Sequence, residues 1–258
     1  MQRQREFRAG RGARRLVMAV GLASSLAAPS PSRGQGSPEP PAPELARCLQ
    51  LINQGQWEAA GQRLGPLVKA FPTSARAHLL LGLTHHKQRQ YLEARPWFAR
   101  ALALDPDDAP IRIYYGWCLY YLGESAEART MFEEFLAVSE DYADAHFALG
   151  LLDFDADDLK GAAGRFARAI ELAHKAKERE DEAKARVRLG DVYVRTAKLA
   201  DARRELERAV ELNPDLYSAY FKLAVVLERL GDAEGAEAAR RKHAEVRERI
   251  HPNRGQAE

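Results

Sequence analysis

The sequence predicts an all-α solenoid of about six helix-turn-helix units, and three observations carry that prediction. Alanine returns at Ala60, Ala94, Ala128, Ala162, Ala202 and Ala236, with gaps of 34, 34, 34, 40 and 34 residues. A small residue recurring at such a period marks a repeat array, which usually works as a binding surface rather than a catalytic pocket. Other columns keep the same beat: Gly82, Gly116, Gly150 and Gly190; Phe98, Phe132 and Phe166, with Leu64 before them and Leu206 after; and Leu81, Tyr115, Leu149, Leu189 and Leu223. Within a unit the spacing is helical. In ARPWFARALAL (94–104), Ala94, Trp97, Phe98, Ala101 and Leu102 follow the i, i+3, i+4, i+7 rule of an amphipathic helix.

The chain opens with residues 1–15, which hold six arginines and one acid, followed by the apolar run LVMAVGLASSLAA at 16–28. That run falls short of the ~20 residues a membrane span needs. A charged start, a short apolar stretch and small residues at its end are the layout of an export signal. This reading places cleavage near Ala27 or Ala28 and the mature protein outside the cytoplasm, in a periplasm or secreted. A twin-arginine route through Arg14 and Arg15 matches poorly in its flanks. An uncleaved anchor and a transit peptide are the alternatives, and only the anchor would bring a membrane into play. Residues 29–43 (PSPSRGQGSPEPPAP) read as an extended, disordered tether.

Charge follows from the same division. The full chain carries 39 basic and 37 acidic residues, a net charge of +2, and removal of 1–28 takes six Arg and one Glu and leaves −3. The apparent basicity belongs to the leader, so the array offers no electrostatic reason to bind nucleic acid.

The array itself spans 44–247, with units beginning near Pro41, Ala75, Ala109, Ala143, Ala183 and Tyr217. The first unit is divergent: Cys48 replaces the column glycine, and Pro66 inside its second helix should kink it. Short turns such as Leu-Gly-Glu at 122–124 and Leu-Gly-Asp at 230–232 join the two helices of a unit, because glycine takes the left-handed conformation cheaply at a helix end. Asp-Pro at 105–106 and Asn-Pro at 213–214 stop second helices, since proline disfavours α geometry in the residue before it. Six extra residues fall in AHKAKEREDEAKAR (173–186), a run of good helix formers without Pro or Gly. It predicts longer helices on either side of one junction and a local change of superhelical angle. In the last unit Ala224 stands in the glycine column, and Arg240, Arg241, Lys242 and His243 make its second helix polar, as a solenoid cap requires. Residues 248–258 read as a disordered tail.

The stretches YLEARPWFARALALDP (91–106) and KLADARRELERAVELNP (198–214) resemble the tetratricopeptide repeat (TPR) family, with its Tyr…Ala…Phe…Ala…Pro signature, the second with Leu for Phe. The large–small pairs Leu81-Gly82, Tyr115-Gly116, Leu149-Gly150 and Leu189-Gly190 belong to the same pattern. The resemblance covers about 41–247 and implies a right-handed α-solenoid whose first helices line a concave groove.

Little in the sequence suggests chemistry. Cys48 and Cys118 lie in first helices two repeats apart, too far for a disulfide in a stacked array, and should be free and mostly buried. Asp153, Asp155, Asp157 and Asp158 suggest a calcium loop, but Asp158 and Gly164 stand where an EF-hand needs Gly and Glu. The run reads as an acidic turn that caps the next helix. His85 and His86 point about 100° apart on a helix, and His78 and His146 are equivalent positions in units two and four. With no phosphate loop, dinucleotide turn, zinc-protease motif or nucleophile elbow, the expectation is no catalytic residue, no metal ligand and no cofactor.

The candidate site is therefore a partner-binding groove. Stepping along the first helices selects Leu79 and Leu83; Ile113, Tyr114, Trp117, Tyr120 and Tyr121; and Phe147, Leu151 and Phe154. Units five and six instead offer Val187, Arg188, Asp191, Arg195, Phe221, Lys222, Glu228 and Arg229. The groove is expected to be apolar and aromatic first, then mixed and charged. An apolar patch rimmed by charge marks a partner site, and Trp and Tyr are the usual anchors. The family's chaperone-binding members grip a terminal carboxylate with Lys and Asn, whereas here Leu45, Leu49, Leu83, Pro110 and Tyr114 occupy that surface, so the clamp is absent. The expected partner is a protein or peptide segment; the alternatives are self-association, occupation by the chain's own Pro-rich tether, and plain core in which these side chains pack neighbouring units.

Overall fold

The computed structural model describes residues 38–252. Among them are twelve α-helices and no strand: α1 (Ala42–Asn53), α2 (Trp57–Ala70), α3 (Ala75–Lys87), α4 (Tyr91–Leu104), α5 (Ala109–Leu122), α6 (Ser125–Val138), α7 (Ala143–Asp155), α8 (Leu159–Ala176), α9 (Arg179–Arg195), α10 (Leu199–Leu212), α11 (Tyr217–Arg229) and α12 (Ala233–Ile250). The helices form two compact bodies, one ending at Val138 and the other beginning at Ser139. Each body holds three helix-turn-helix repeats, and within a body every helix packs on its neighbours in the chain. The expected leader at 1–28 and most of the tether and tail lie outside the described residues.

The alanine column is the seam between paired helices. Ala60, Ala94, Ala128, Ala162 and Ala202 have no exposed surface and Ala236 almost none. The glycine column has an equally direct cause. A Cβ on Gly82 would lie 2.8 Å from the Phe98 ring, one on Gly116 2.7 Å from Phe132 and one on Gly150 2.7 Å from Phe166. The three phenylalanines are fully buried, so each aromatic ring fills the space its partner glycine leaves. In the fifth repeat the pair is Gly190 and Leu206, and the same Cβ would meet Leu206 at 3.1 Å.

The turn between the helices of a repeat repeats with the same beat. A left-handed residue occurs at Gly55 (φ 76°), Arg89 (62°), Gly123 (82°), Asp157 (66°), Ala197 (57°) and Gly231 (83°). The sequence signalled the turn only where glycine stands. At Ala197 the Cβ crowds the following carbonyl and costs about 1 kcal/mol. Ala197→Gly is therefore expected to raise the stability of the second body by about 0.5 kcal/mol at most, once the larger entropy of the unfolded glycine chain is subtracted. Urea denaturation followed by circular dichroism checks it, and a lower midpoint would refute the strain.

Asp105 and Asn213 end α4 and α10 in extended geometry before their prolines. α2 runs from Trp57 to Ala70 as one helix through Pro66, and α4 likewise contains Pro96. The extra residues of the fifth repeat do lengthen both flanking helices: α8 has 18 residues and α9 has 17, and they meet at a left-handed Lys177 (φ 61°).

Candidate functional site

The first helices of successive repeats carry the expected columns. In the first body, Leu79 and Leu83 on α3 and Ile113, Tyr114 and Trp117 on α5 are buried. They pack the array. Tyr120 is half-buried, and Tyr121 keeps 42% of its surface exposed. In the second body Leu151 is buried, while Phe147 and Phe154 on α7 are half-buried.

Around Tyr121 the first body builds a continuous aromatic cluster. The Tyr121 ring stacks on Tyr91 with centroids 4.6 Å apart and lies nearly parallel to Trp117 at 6.0 Å. Tyr120 meets Trp117 edge-on at 5.7 Å, and Trp117 meets Phe132 edge-on at 5.5 Å. His86 joins from α3, 5.2 Å from Tyr91 and 5.8 Å from Tyr121. Burial, with a smaller push from Lys87, drives the His86 imidazole down to about 3, so it is neutral here and behaves as one more ring. Burial raises the Tyr91 phenol to about 12. Such offset and edge-on pairs each add about 0.5–1.5 kcal/mol beyond area burial and hold Tyr121 in place. Tyr91 opens a second helix, so stepping along first helices passed over it. Its signal was the aromatic that begins the YLEARPWF stretch.

The second body is electrostatically different. The Arg195 guanidinium lies 4.6 Å from the Phe154 ring centroid, donates to the Phe154 carbonyl at 3.1 Å and pairs with Asp157. Asp191 accepts from Lys222 at 2.5 Å and from Arg188 at 3.4 Å. Glu182, with 2% of its side chain exposed, accepts from His174 at 3.1 Å and from Arg186 at 2.9 Å, and Arg186 continues to Glu205 at 2.6 Å. Burial pushes the Glu182 carboxyl up, but the hydrogen bonds from His174 and Arg186 outweigh it and hold the group below the usual carboxylate range.

The residues weighed for chemistry have structural duties. Asp158 accepts from the Gly161 amide and caps α8, and Asp157 forms the left-handed turn. Among the described residues no cluster of three metal-ligating side chains occurs. His78 donates to the Ser74 carbonyl at 2.8 Å and His146 to the Glu140 carbonyl at 2.9 Å, both next to the starts of their helices. Cys48 and Cys118 are free and buried, and burial raises the Cys118 thiol to about 12. A thiol so raised is a poor nucleophile at neutral pH. No helix of the described residues is long and apolar enough to cross a membrane.

Six helix pairs, three of them closed by a glycine–phenylalanine contact, define a helical repeat family of proteins. Family models described as tetratricopeptide repeat match residues 46–109 and 187–249, and 85–152, together well over half of the chain. The chain belongs to the tetratricopeptide repeat family. The Superkiller complex protein 3 of Homo sapiens is 29% identical over 80 residues, which are 31% of this chain and only 5% of that much longer protein. The crystal structure of PilW, described as a widely conserved type IV pilus biogenesis factor, aligns with a TM-score of 0.67 at 19% identity over 83% of this chain and 94% of its own. That of YrrB, described as a TPR protein with an unusual peptide-binding site, aligns with a TM-score of 0.53 at 19% identity, over 74% of this chain and 94% of its own. At such identities the structural likeness concerns the fold.

Proposed function

We propose that this protein is an exported, non-catalytic scaffold that binds a segment of another protein, with the aromatic cluster around Tyr121 as its anchor in the first body. The observation that carries the reading is an exposed ring held rigidly by stacking on Tyr91 and Trp117. A pre-ordered aromatic loses little conformational entropy on binding, which is why such side chains dominate interface energetics. YrrB, a TPR protein with a peptide-binding site, supports a binding role for the same repeat fold. The Arg-rich start and the apolar 16–28 run support export.

Tyr121→Ala is the informative variant, because Trp117 is 4% exposed and its removal would disturb packing instead. In a pull-down from envelope extract, carried out well below the melting temperature of both chains, Tyr121→Ala is expected to lose proteins that the native chain retains; the lost ring contacts should lower the melting temperature by a few degrees and leave the chain folded. An identical set of captured proteins would overturn the reading. The second reading, a membrane-tethered assembly module that keeps residues 16–28 as its anchor, rests on the same apolar run. An intact mass lacking about 28 residues, as a signal cleavage implies, excludes it.

A further inference from the structure

The first-helix columns end, in the second body, on an exposed apolar pair of α11. Leu79 and Leu83, Ile113 and Trp117, Phe147 and Leu151, Val187 and Asp191, and Phe221 and Val225 are equivalent pairs, 34, 34, 40 and 34 residues apart. In the second and third repeats the pair is 4% exposed or less, whereas Phe221 is 55% exposed and Val225 39%. No first helix follows α11 among the described residues, and although the His243 ring of α12 lies 5.6 Å from Phe221, both side chains of the pair stay exposed.

The charge beside the stripe is positive on balance, because its two acids are already taken up by neighbouring cations. Phe221, Val225 and Arg229 sit at i, i+4 and i+8 on α11 and therefore share a face. Arg229 is exposed and has no ion-pair partner among the described residues. Lys222 lies next to Phe221 and shares Asp191 with Arg188, so two cations answer to one carboxylate. Glu228, the one acid of α11, is turned to Arg240 of α12 at 2.6 Å, while Asp191 belongs to α9. Arg188, Lys222 and Arg229 thus flank two exposed apolar side chains with a single partly buried acid between them.

We infer that this stripe of the second body captures an acidic protein segment, with its carboxylates toward Arg229 and the Arg188–Lys222 pair and an apolar side chain over Phe221 and Val225. The inference rests on the reading that the array binds partner segments, but it places a second and separate contact on α11. A second copy of the chain fits poorly. Two apolar side chains fall far short of the ~800 Å² per partner of a stable interface.

The test uses the full chain and a labelled synthetic peptide of Glu, Asp, Leu and Phe, beside an analogue with Gln and Asn in place of the acids, read by fluorescence anisotropy. The acidic peptide is expected to bind at least about tenfold more tightly, with affinity falling as salt rises. Phe221→Ser and Arg229→Glu should each weaken it about tenfold, while Tyr121→Ala leaves it unchanged. Both altered residues are exposed, so melting temperatures should hold. Equal binding of the two peptides, or no effect of the α11 variants, overturns the proposal. So does sedimentation showing that the native chain dimerises and that Phe221→Ser abolishes the dimer. Loss of captured proteins in Tyr121→Ala alone speaks to the first site and leaves this one standing.

Discussion

Gly116→Ala is expected to destabilise the first body by about 2 kcal/mol, an unusual outcome for a substitution that improves helix propensity. Alanine in place of glycine within a helix gains about 1 kcal/mol when nothing else changes. At Gly116 the new Cβ would lie 2.7 Å from the Phe132 ring, and that ring is fully buried with Trp117 against it at 5.5 Å. A rigid ring in a filled site cannot retreat, so the overpacking cost sits near the top of the usual range, about 3 kcal/mol. Two other glycines set the scale. Gly164 on α8 is exposed and has nothing within 4 Å of its would-be Cβ, so Gly164→Ala should stabilise by about 0.5–1 kcal/mol. At Gly190 the neighbour is the flexible Leu206 at 3.1 Å, and Gly190→Ala should be nearly neutral. Urea titrations of the three variants check the order. A Gly116→Ala protein as stable as the native chain would mean the glycine–phenylalanine columns are not a packing constraint.

The same columns show what could be read in the sequence. Period, helix pairs and the alanine–glycine seam were legible because close helix packing tolerates only small residues at fixed positions, and those residues are visible letter by letter. The lengthened helices of the fifth repeat were legible because a run without Pro or Gly has no reason to form a loop. The turn was legible only in part. Gly55, Gly123 and Gly231 announce a left-handed residue, but Arg89, Asp157 and Ala197 adopt the same geometry under the constraint of the two helices they join. Tertiary packing overrides local preference there, and no single residue signals it.

The candidate site was less legible than the fold. Helical stepping finds which side chains leave the first helices on one face, but not how deeply they sink. Trp117 and Tyr121 were named together, yet one is 4% exposed and the other 42%. Tyr91, from a second helix, turned out to be the ring on which Tyr121 stacks. The charged half followed the same rule. Arg195, Asp191 and Lys222 were visible as charges, but their pairing across helices depends on three-dimensional neighbours. The polar cap expected of the last repeat holds for α12 and does not extend to α11, where Phe221 and Val225 remain exposed.

Arg186→Met should destabilise the second body by about 3 kcal/mol at neutral pH, and that loss should shrink as the pH falls. Arg186 is the main counter-charge of Glu182, a carboxylate with 2% of its side chain exposed. Breaking a buried pair from one side typically costs 3–5 kcal/mol, because the remaining charge stays desolvated. The lower end applies here, since Arg186 and Glu205 keep 19% and 21% of their side chains exposed and His174 still donates to Glu182. Methionine preserves much of the apolar stem, which isolates the charge.

The direction with pH follows from linkage. In the native protein the hydrogen bonds from His174 and Arg186 hold the Glu182 carboxyl below its ordinary value of 4.5 in spite of burial. A group with a lowered folded pKa contributes stability that is present above the unfolded pKa and lost as pH falls through the folded one. Without Arg186 one of the two donors that oppose burial is gone, and the carboxyl is expected to move upward from its native position. The variant's buried charge is then relieved by protonation as the solution becomes acidic, while the native chain begins to lose its own contribution. Denaturation of both proteins at pH 7 and near pH 4.5 measures the gap directly. A gap independent of pH would show that Arg186 acts through packing alone. The double variant Glu182→Leu with Arg186→Met supplies the complementary arm: with no charge left to strand, it should recover much of the stability that Arg186→Met loses.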